Sequence, residues 1–219
     1  MSMELAKIIT DSGVPKGVVN VCPGMGEVAG DALVKNNKIS KISFTGSSEI
    51  GKTIVKNSAD KLAKVSLELG GKAPNIIFED ANLDSCIEAN LRGGFFNQGE
   101  NCTAVTRLFV HKKIFKKFVN SYIKNISKIN QDNPENQNSQ MGALISDQHF
   151  KKVKNCVAKS IKEGGKILYQ GKISKSLKGY FYPPTLVELT DKQNILFKEE
   201  VFGPVVAIMQ FEVKEMLFQ

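Results

Sequence analysis

The sequence predicts an α/β fold, and two features of the chain support that prediction. Short apolar segments alternate with amphipathic ones along most of the 219 residues, as strands alternate with helices in α/β proteins. Within residues 1–69 a strand, a turn and a helix recur about every 22–24 residues, a rhythm typical of doubly wound nucleotide-binding folds. We therefore expect part of a Rossmann-type domain, followed by a second α/β domain.

The first domain is expected to span residues 1–69 and to contain three helices and three strands. In chain order they are a helix at 2–12, a strand at Val18–Val21, a helix at 27–36, a strand at Lys41–Phe44, a helix at 49–60 and a strand at Val65–Leu67. Glycine and proline interrupt this pattern at Gly13–Lys16 and at Pro23–Gly24, where we expect turns.

The second domain is expected to span residues 70–219, because the rhythm changes after the glycine pair Gly70–Gly71. Its expected elements are a strand at Asn75–Phe78, a helix from Asp80–Asp84 to about Phe96, a strand at 105–110, a helix at 113–129, a polar loop at 130–140, a helix at 147–163 and then short strands. The Asp and Asn side chains of Asp80–Asp84 are of the kind that cap helix starts.

Composition argues against several classes of protein. No apolar run approaches the ~20 residues of a membrane helix, and no basic stretch precedes an apolar core at the N-terminus, so a soluble cytoplasmic protein is expected. The four cysteines form no CxxC pair, which predicts no metal site. The net charge of +8 comes almost entirely from scattered lysines, whereas nucleic-acid surfaces cluster arginine with aromatic side chains, so no nucleic-acid partner is expected.

The segment Ser43–Gly51 is a candidate anion site. A strand that ends in Gly46 and opens a helix presents free N–H groups to a phosphate, and the helix dipole adds to the attraction. Ser47 and Ser48 are suited either to cap that helix or to bind a phosphate oxygen. Because the spacing matches no phosphate-binding motif, a plain capped helix start stays open as the alternative.

Glu68 and Cys102 are candidates for chemistry. The leucines and glycines around Glu68 are expected to desolvate its carboxylate partly, which suits a general base. Cys102 lies in the polar, glycine-containing segment NQGENCTA, a setting more typical of a reactive thiol than of a structural one. The other cysteines, Cys22, Cys86 and Cys156, are interpreted as small core residues.

Four segments occur in an order that resembles the aldehyde dehydrogenase superfamily: FTGSSEIG, LELGGKAPN, FFNQGENCTA and KEEVFGPV. The resemblance extends to VVNVCPG and GYFYPPTL, and the 34 residues from Glu68 to Cys102 match the family's spacing. It implies that Cys102 attacks an aldehyde, that a thiohemiacetal is oxidised to a thioester, and that Glu68 activates the hydrolytic water. Hydrolysis to a carboxylic acid is implied because Glu68 is present.

The same resemblance implies the cofactor, NAD or NADP, and the residues that contact it. These residues are Gly46, Ser47, Ser48, Glu49, Ile50 and Gly51 near the pyrophosphate, Leu69 near the nicotinamide, and Glu200 and Phe202 at the nicotinamide ribose and ring. The substrate is expected to be a small aldehyde. Full-length family members are homo-oligomers, which leaves the oligomeric state of this chain open.

The resemblance also implies that the chain is incomplete at both ends. The family's upstream part of the nucleotide fold, with an oxyanion-binding asparagine, and its final segments are expected to be missing. We therefore expect weak turnover by these 219 residues alone. Two alternatives stay open: a catalytically inactive fragment of such an enzyme, and a redox-active cysteine protein on a nucleotide-binding scaffold.

Overall fold

The computed structural model describes residues 1–217. Contacts between Cα atoms divide the chain into two compact units, Met1–Gly70 and Gly71–Gln219. The mixed α/β fold with parallel sheets is confirmed in this structure. Within the described residues, no helix combines the length and the apolar character needed to cross a membrane.

The N-terminal unit is built around a two-stranded parallel sheet. Its elements are α1 (Ser2–Asp11), a π-helical turn (Gly26–Gly30), α2 (Asp31–Lys35), β1 (Lys41–Gly46), α3 (Ser48–Ser58) and β2 (Lys64–Leu69). The strands pair from Lys41 opposite Lys64 to Gly46 opposite Leu69, which places Thr45 opposite Glu68. The predicted helices and the last two predicted strands are therefore present within a few residues of their expected positions.

The strand predicted at Val18–Val21 is wrong. Gly17 has a φ of +88°, the amide of Val18 donates to the Pro15 carbonyl at 3.2 Å, and the Asn20 side chain donates to the Gly17 carbonyl. These local bonds form a turn, and Val18 is 68% exposed. A strand also needs a hydrogen-bonded neighbour, and none of the strands in the described part of the chain pairs with this segment.

The C-terminal unit contains a five-stranded sheet in the order β3-β4-β7-β6-β5. Its elements are β3 (Ala73–Ile77), α4 (Leu83–Phe95), a 3₁₀-helical turn (Phe96–Gly99), β4 (Val105–His111), α5 (Lys112–Ile126), α6 (Asp147–Lys162), β5 (Lys166–Gln170), β6 (Thr185–Glu188), α7 (Ile195–Lys198), β7 (Val205–Phe211) and a second 3₁₀ turn (Lys214–Leu217). All pairs are parallel except β5 with β6.

Both faces of this sheet are covered, so its central strands are apolar on both sides. On β4, Leu108 and Val110 belong to the core formed with α4 and α5, whereas Phe109 belongs to the core formed with α6 and α7. Tyr122 of α5 is fully buried and donates its hydroxyl to the Asn90 carbonyl at 3.1 Å. The alternation fixes the register of the strands and therefore the position of the loops at their ends.

Candidate active site

Cys102 lies in a turn between the 3₁₀ helix and β4, with its side chain exposed. The turn is held by Asn101, whose Oδ1 accepts bonds from the amide of Thr103 at 3.1 Å and from its hydroxyl at 3.0 Å. The Cys102 thiol is 3.9 Å from the same oxygen, and the Ala104 amide donates to the Asn101 carbonyl at 3.0 Å. The structure therefore presents the thiol to solvent on a fixed turn.

Three consecutive residues before this turn have left-handed backbone conformations. Asn97, Gln98 and Gly99 have φ values of 50°, 57° and 70°. Such a run is strained for residues with side chains and is kept only where surrounding contacts determine it. At Gly99 a Cβ atom would lie 2.3 Å from the carbonyl oxygen of Gly203. Glycine is therefore required there both by this close approach and by the positive φ.

Hydrogen bonds hold this left-handed segment in place. Gln98 Oε1 accepts from the Gly142 amide at 3.2 Å, and Glu100 Oε1 accepts from the Ile145 amide at 3.2 Å. The same oxygen of Glu100 lies 3.5 Å from Nε2 of His149, near the start of α6. His149 Nε2 is in turn 2.6 Å from the carbonyl oxygen of Phe202. His149 thus links the segment before Cys102 to the loop that carries Phe202.

Glu200 and Phe202 lie on the loop between α7 and β7. Glu200 Oε1 accepts a bond from the Gly71 amide at 3.2 Å, which fixes the carboxylate at the start of β3. Phe202 has a φ of 58°, and its ring meets the His149 ring edge to face with centroids 6.2 Å apart. Two of the predicted cofactor residues therefore share one loop, and that loop packs against the segment before Cys102.

Lys72, next to Gly71, is a site residue that the sequence did not single out. Burial, together with the Arg107 guanidinium, lowers the pKa of Lys72 to about 8. Its ammonium group donates to the Leu196 carbonyl at 2.8 Å, and Arg107 donates to the main-chain carbonyl of Lys72. Arg107 also stacks over the Phe197 ring at 5.0 Å. These contacts anchor the start of β3, and with it the Gly71 amide that holds Glu200.

Glu68 lies on β2 of the N-terminal unit and is exposed. The expected partial desolvation of its carboxylate is therefore wrong for the described structure. The reason is the alternation of the strand, which turns Val65, Leu67 and Leu69 to one face and Glu68 to the other. The role of Glu68 as a base stays a prediction.

The predicted phosphate segment forms the start of α3. The Ser47 hydroxyl oxygen accepts a bond from the Ile50 amide at 3.3 Å, as expected of a capping serine. Ser48 and Glu49 occupy the first turn, where amides have no acceptor within the helix. A Cβ atom at Gly51 would lie 2.8 Å from a Leu69 methyl group, so glycine lets β2 approach this helix. The capped helix start is confirmed, and phosphate binding there stays a prediction.

The remaining cysteines differ from one another. Cys156 is buried, and burial raises the pKa of its thiol; Cys86 is partly buried. The interpretation of Cys22 as a core residue is wrong, because its side chain is exposed after the turn at Gly17. Among residues 1–217, His, Cys, Asp and Glu nowhere cluster in a group of three or more that would hold a metal.

Comparison with known proteins places the whole chain in one group. The sequence profile described as "Aldehyde dehydrogenase family" matches residues 1–218. The chain is 39% identical to "Aminoaldehyde dehydrogenase 1, peroxisomal" of Pisum sativum, covering 97% of this chain and 42% of the pea protein. It is 40% identical to human "2-aminomuconic semialdehyde dehydrogenase", with coverages of 96% and 45%.

A similar result comes from solved structures. Betaine aldehyde dehydrogenase of Staphylococcus aureus, in complex with NAD+, superposes with a TM-score of 0.93 at 34% identity, covering 98% of this chain and 43% of that one. The chain therefore spans less than half the length of each relative described above.

Proposed function

The chain belongs to the aldehyde dehydrogenase family, and we propose that it carries the cysteine nucleophile and part of the NAD(P) site of an enzyme that oxidises an aldehyde to a carboxylic acid. The observation that carries this proposal is the exposed Cys102 thiol on a turn fixed by Asn101. The family's relatives are named for aldehyde oxidation, which supports the reaction class.

In the proposed reaction, Cys102 Sγ adds to the aldehyde carbonyl carbon and the oxygen takes up a proton, forming a thiohemiacetal. NAD or NADP, when bound, would supply the acceptor for the hydride, and the O–H proton of the adduct passes to solvent as the thioester carbonyl forms. Glu68 then removes a proton from water as the water attacks the thioester; this proton is returned to the sulfur when the C–S bond breaks, so the carboxylic acid leaves and the Cys102 thiol is restored. The strained segment from Asn97 to Gly99 would keep the thiol in position through both steps.

The residues present fit the proposed cofactor in each unit. The first turn of α3 offers the amides of Ser48 and Glu49 to a phosphate oxygen. In the other unit, Glu200 uses one carboxylate oxygen for the Gly71 amide. Its second oxygen, which has no hydrogen-bond partner among residues 1–217, suits a ribose hydroxyl. The S. aureus relative contains NAD+, which supports a nicotinamide cofactor.

The substrate, location and assembly are further parts of this proposal. We expect a small aldehyde substrate and retain the cytoplasmic location as a prediction. The homo-oligomeric state of the family's longer members is not carried over to this chain, since the chain spans less than half of the relatives' length.

The test is aldehyde-dependent reduction of NAD+ by the 219-residue protein, followed by mass spectrometry of the Cys102 peptide for the acyl adduct. A single turnover is sufficient, so weak steady-state activity does not obscure the result. Cys102→Ala is expected to abolish both signals. Cys22→Ala is the matched control, because it removes another exposed thiol and is expected to leave both signals intact. An adduct that forms equally in Cys102→Ala would overturn the proposal.

A further inference from the structure

A cavity of about 610 Å³ lies beside the Cys102 turn within the C-terminal unit. Asn101 and Thr103, the two neighbours of Cys102, line it on one side. Phe96 and one face of α4, including Glu88 and Arg92, line it on the other. Its volume lies in the range of small-molecule sites, and both chain neighbours of Cys102 belong to its lining.

Two charged side chains of this cavity are unpaired. Glu88 and Arg92 are one helical turn apart on α4, and both are exposed. Neither forms an ion pair within the described part of the chain, although residues at this spacing often do. A charged group that enters the cavity would therefore meet a free guanidinium and a free carboxylate.

The positive side chains outnumber the negative one in this region. Arg92 also lines an adjoining cavity of about 330 Å³, where Lys128 is a second cation. Phe96 lines both cavities, and its side chain is 61% exposed. The arrangement combines an apolar wall with a predominantly cationic end.

We propose that this cavity selects aldehydes that carry a carboxylate, with Arg92 as the specificity-determining residue. The inference rests on the proposed function, because it assumes that the aldehyde carbonyl reaches Cys102. The planar guanidinium of Arg92 binds a carboxylate through two parallel N–H donors, a geometry that lysine lacks. The carbon chain of the substrate packs against Phe96, and Glu88 weakens binding of the anion.

Alkylation of Cys102 tests the electrostatics without any cofactor or turnover. Iodoacetate carries the carboxylate and iodoacetamide is its neutral counterpart. Mass spectrometry gives both rates at Cys102, and the exposed Cys22 in the same chain serves as the internal reference. The iodoacetate-to-iodoacetamide ratio should be higher at Cys102 than at Cys22. Arg92→Gln should lower this ratio by up to about fivefold, the effect of one exposed ion pair.

Glu88→Gln is the matched variant, because it removes a negative charge one helical turn from Arg92. It should raise the iodoacetate-to-iodoacetamide ratio at Cys102. A ratio unchanged by Arg92→Gln, or one lowered by Glu88→Gln, would overturn the proposal. Circular dichroism of both variants checks the fold, and the Cys22 ratio should be unchanged in each.

Protection of Cys102 by aldehydes separates this inference from the proposed function. Addition of the thiol to the carbonyl carbon, with the proton passing to the oxygen, forms a reversible adduct that blocks alkylation by iodoacetamide. Succinic semialdehyde should protect at lower concentration than butanal or 4-aminobutanal, and Arg92→Gln should remove that advantage. Equal protection by all three would leave the nucleophile intact and overturn the specificity. If no aldehyde protects Cys102, the proposed function itself fails.

Discussion

The ring atom Nε2 of His149 lies 2.6 Å from the main-chain carbonyl oxygen of Phe202. Because a carbonyl only accepts, Nε2 must carry the proton in this contact. The same ring atom is 3.5 Å from Glu100 Oε1, and the His149 side chain is only 14% exposed. One imidazole therefore connects the segment that precedes the proposed nucleophile with the loop proposed to contact the cofactor.

Loss of this connection should destabilise the C-terminal unit. His149→Leu leaves the Phe202 carbonyl and the Glu100 carboxylate without their shared partner, which should lower the free energy of unfolding by about 1–3 kcal/mol. His149→Gln keeps a side-chain donor and should recover part of the loss. Urea unfolding followed by tyrosine fluorescence measures this unit alone, since all four tyrosines lie after Gly71. Equal stability of the Leu variant and wild type would contradict the assigned role.

Gly99 should tolerate no side chain. Gly99 has a φ of +70°, and the Gly203 carbonyl oxygen lies 2.3 Å from the position that a Cβ atom would occupy. Gly99→Ala should therefore lower the free energy of unfolding by at least about 1–3 kcal/mol and displace the turn at Cys102. Gly71→Ala is the control, because a Cβ there meets no atom within 4 Å. Tyrosine-monitored unfolding and the alkylation rate of Cys102 give the two readouts. A Gly99→Ala protein that matches the Gly71→Ala protein in both would rule out the close approach.

Two features of the C-terminal unit, the polar segment at Cys102 and the strand β4, were predicted from the sequence, because each depends on residues close together in the chain. The polar segment that the sequence predicts around Cys102 forms an exposed turn, in which Asn101 accepts a bond from the amide two residues ahead, as Asn often does. The strand predicted at 105–110 forms β4, whose apolar run Leu108–Val110 is buried on both faces of the sheet. These features depend on near neighbours in the chain, so the sequence pattern alone indicates them.

Other features depend on partners that are distant in the chain. His149 meets Phe202 across 53 positions and Glu100 across 49, and no periodicity indicates either contact. The low pKa of Lys72 depends on its burial beside Arg107. The exposure of Glu68 depends on which face of β2 it occupies. The sequence identifies such residue types but not the tertiary surroundings that decide their chemistry.

The stability of the C-terminal unit should respond to the titration of Lys72. Its pKa of about 8 in the folded chain is below the ordinary 10.5, so between these values the unfolded chain binds more protons. Lys72 therefore makes the free energy of unfolding rise with pH between about 8 and 10.5, by at most about 1.4 kcal/mol per pH unit. Lys72→Met should remove this rise.

At each pH, the free energy of unfolding of Lys72→Met must be subtracted from that of the wild type. The raised pKa values of Cys156 and Tyr182 act in the opposite direction at high pH, since those groups hold their protons longer in the folded chain. The contribution of Tyr182 cancels in the difference, and a Cys156→Ala background removes that of Cys156, whose charge interacts with Lys72. A difference that stays flat from pH 8 to pH 10 would show that Lys72 titrates normally.

A carboxylate at position 101 should slow the reaction of the thiol. Asn101→Asp keeps the acceptor for the Thr103 amide but adds a negative charge beside Cys102 Sγ, which disfavours the thiolate. Alkylation by the neutral iodoacetamide should slow by up to about fivefold, the usual scale for exposed charge pairs. Asn101→Ala removes the acceptor for the Thr103 amide without adding a charge, so its alkylation rate gives the effect of losing that hydrogen bond alone. The Asp effect should shrink at high salt, and an effect independent of salt would exclude the electrostatic explanation.

Glu68→Gln should separate the two halves of the proposed reaction. The amide cannot take a proton from water, so thioester hydrolysis should slow by about 10²- to 10⁴-fold while Cys102 still adds to the aldehyde. An initial burst of NADH should therefore remain, followed by little further turnover, and mass spectrometry should find the acyl group retained on Cys102. Glu4→Gln, at an exposed position of α1, is the control and should hydrolyse the adduct as wild type does. If the adduct clears equally fast in Glu68→Gln, another group supplies the base, and the exposed position of Glu68 on β2 would then have no catalytic meaning.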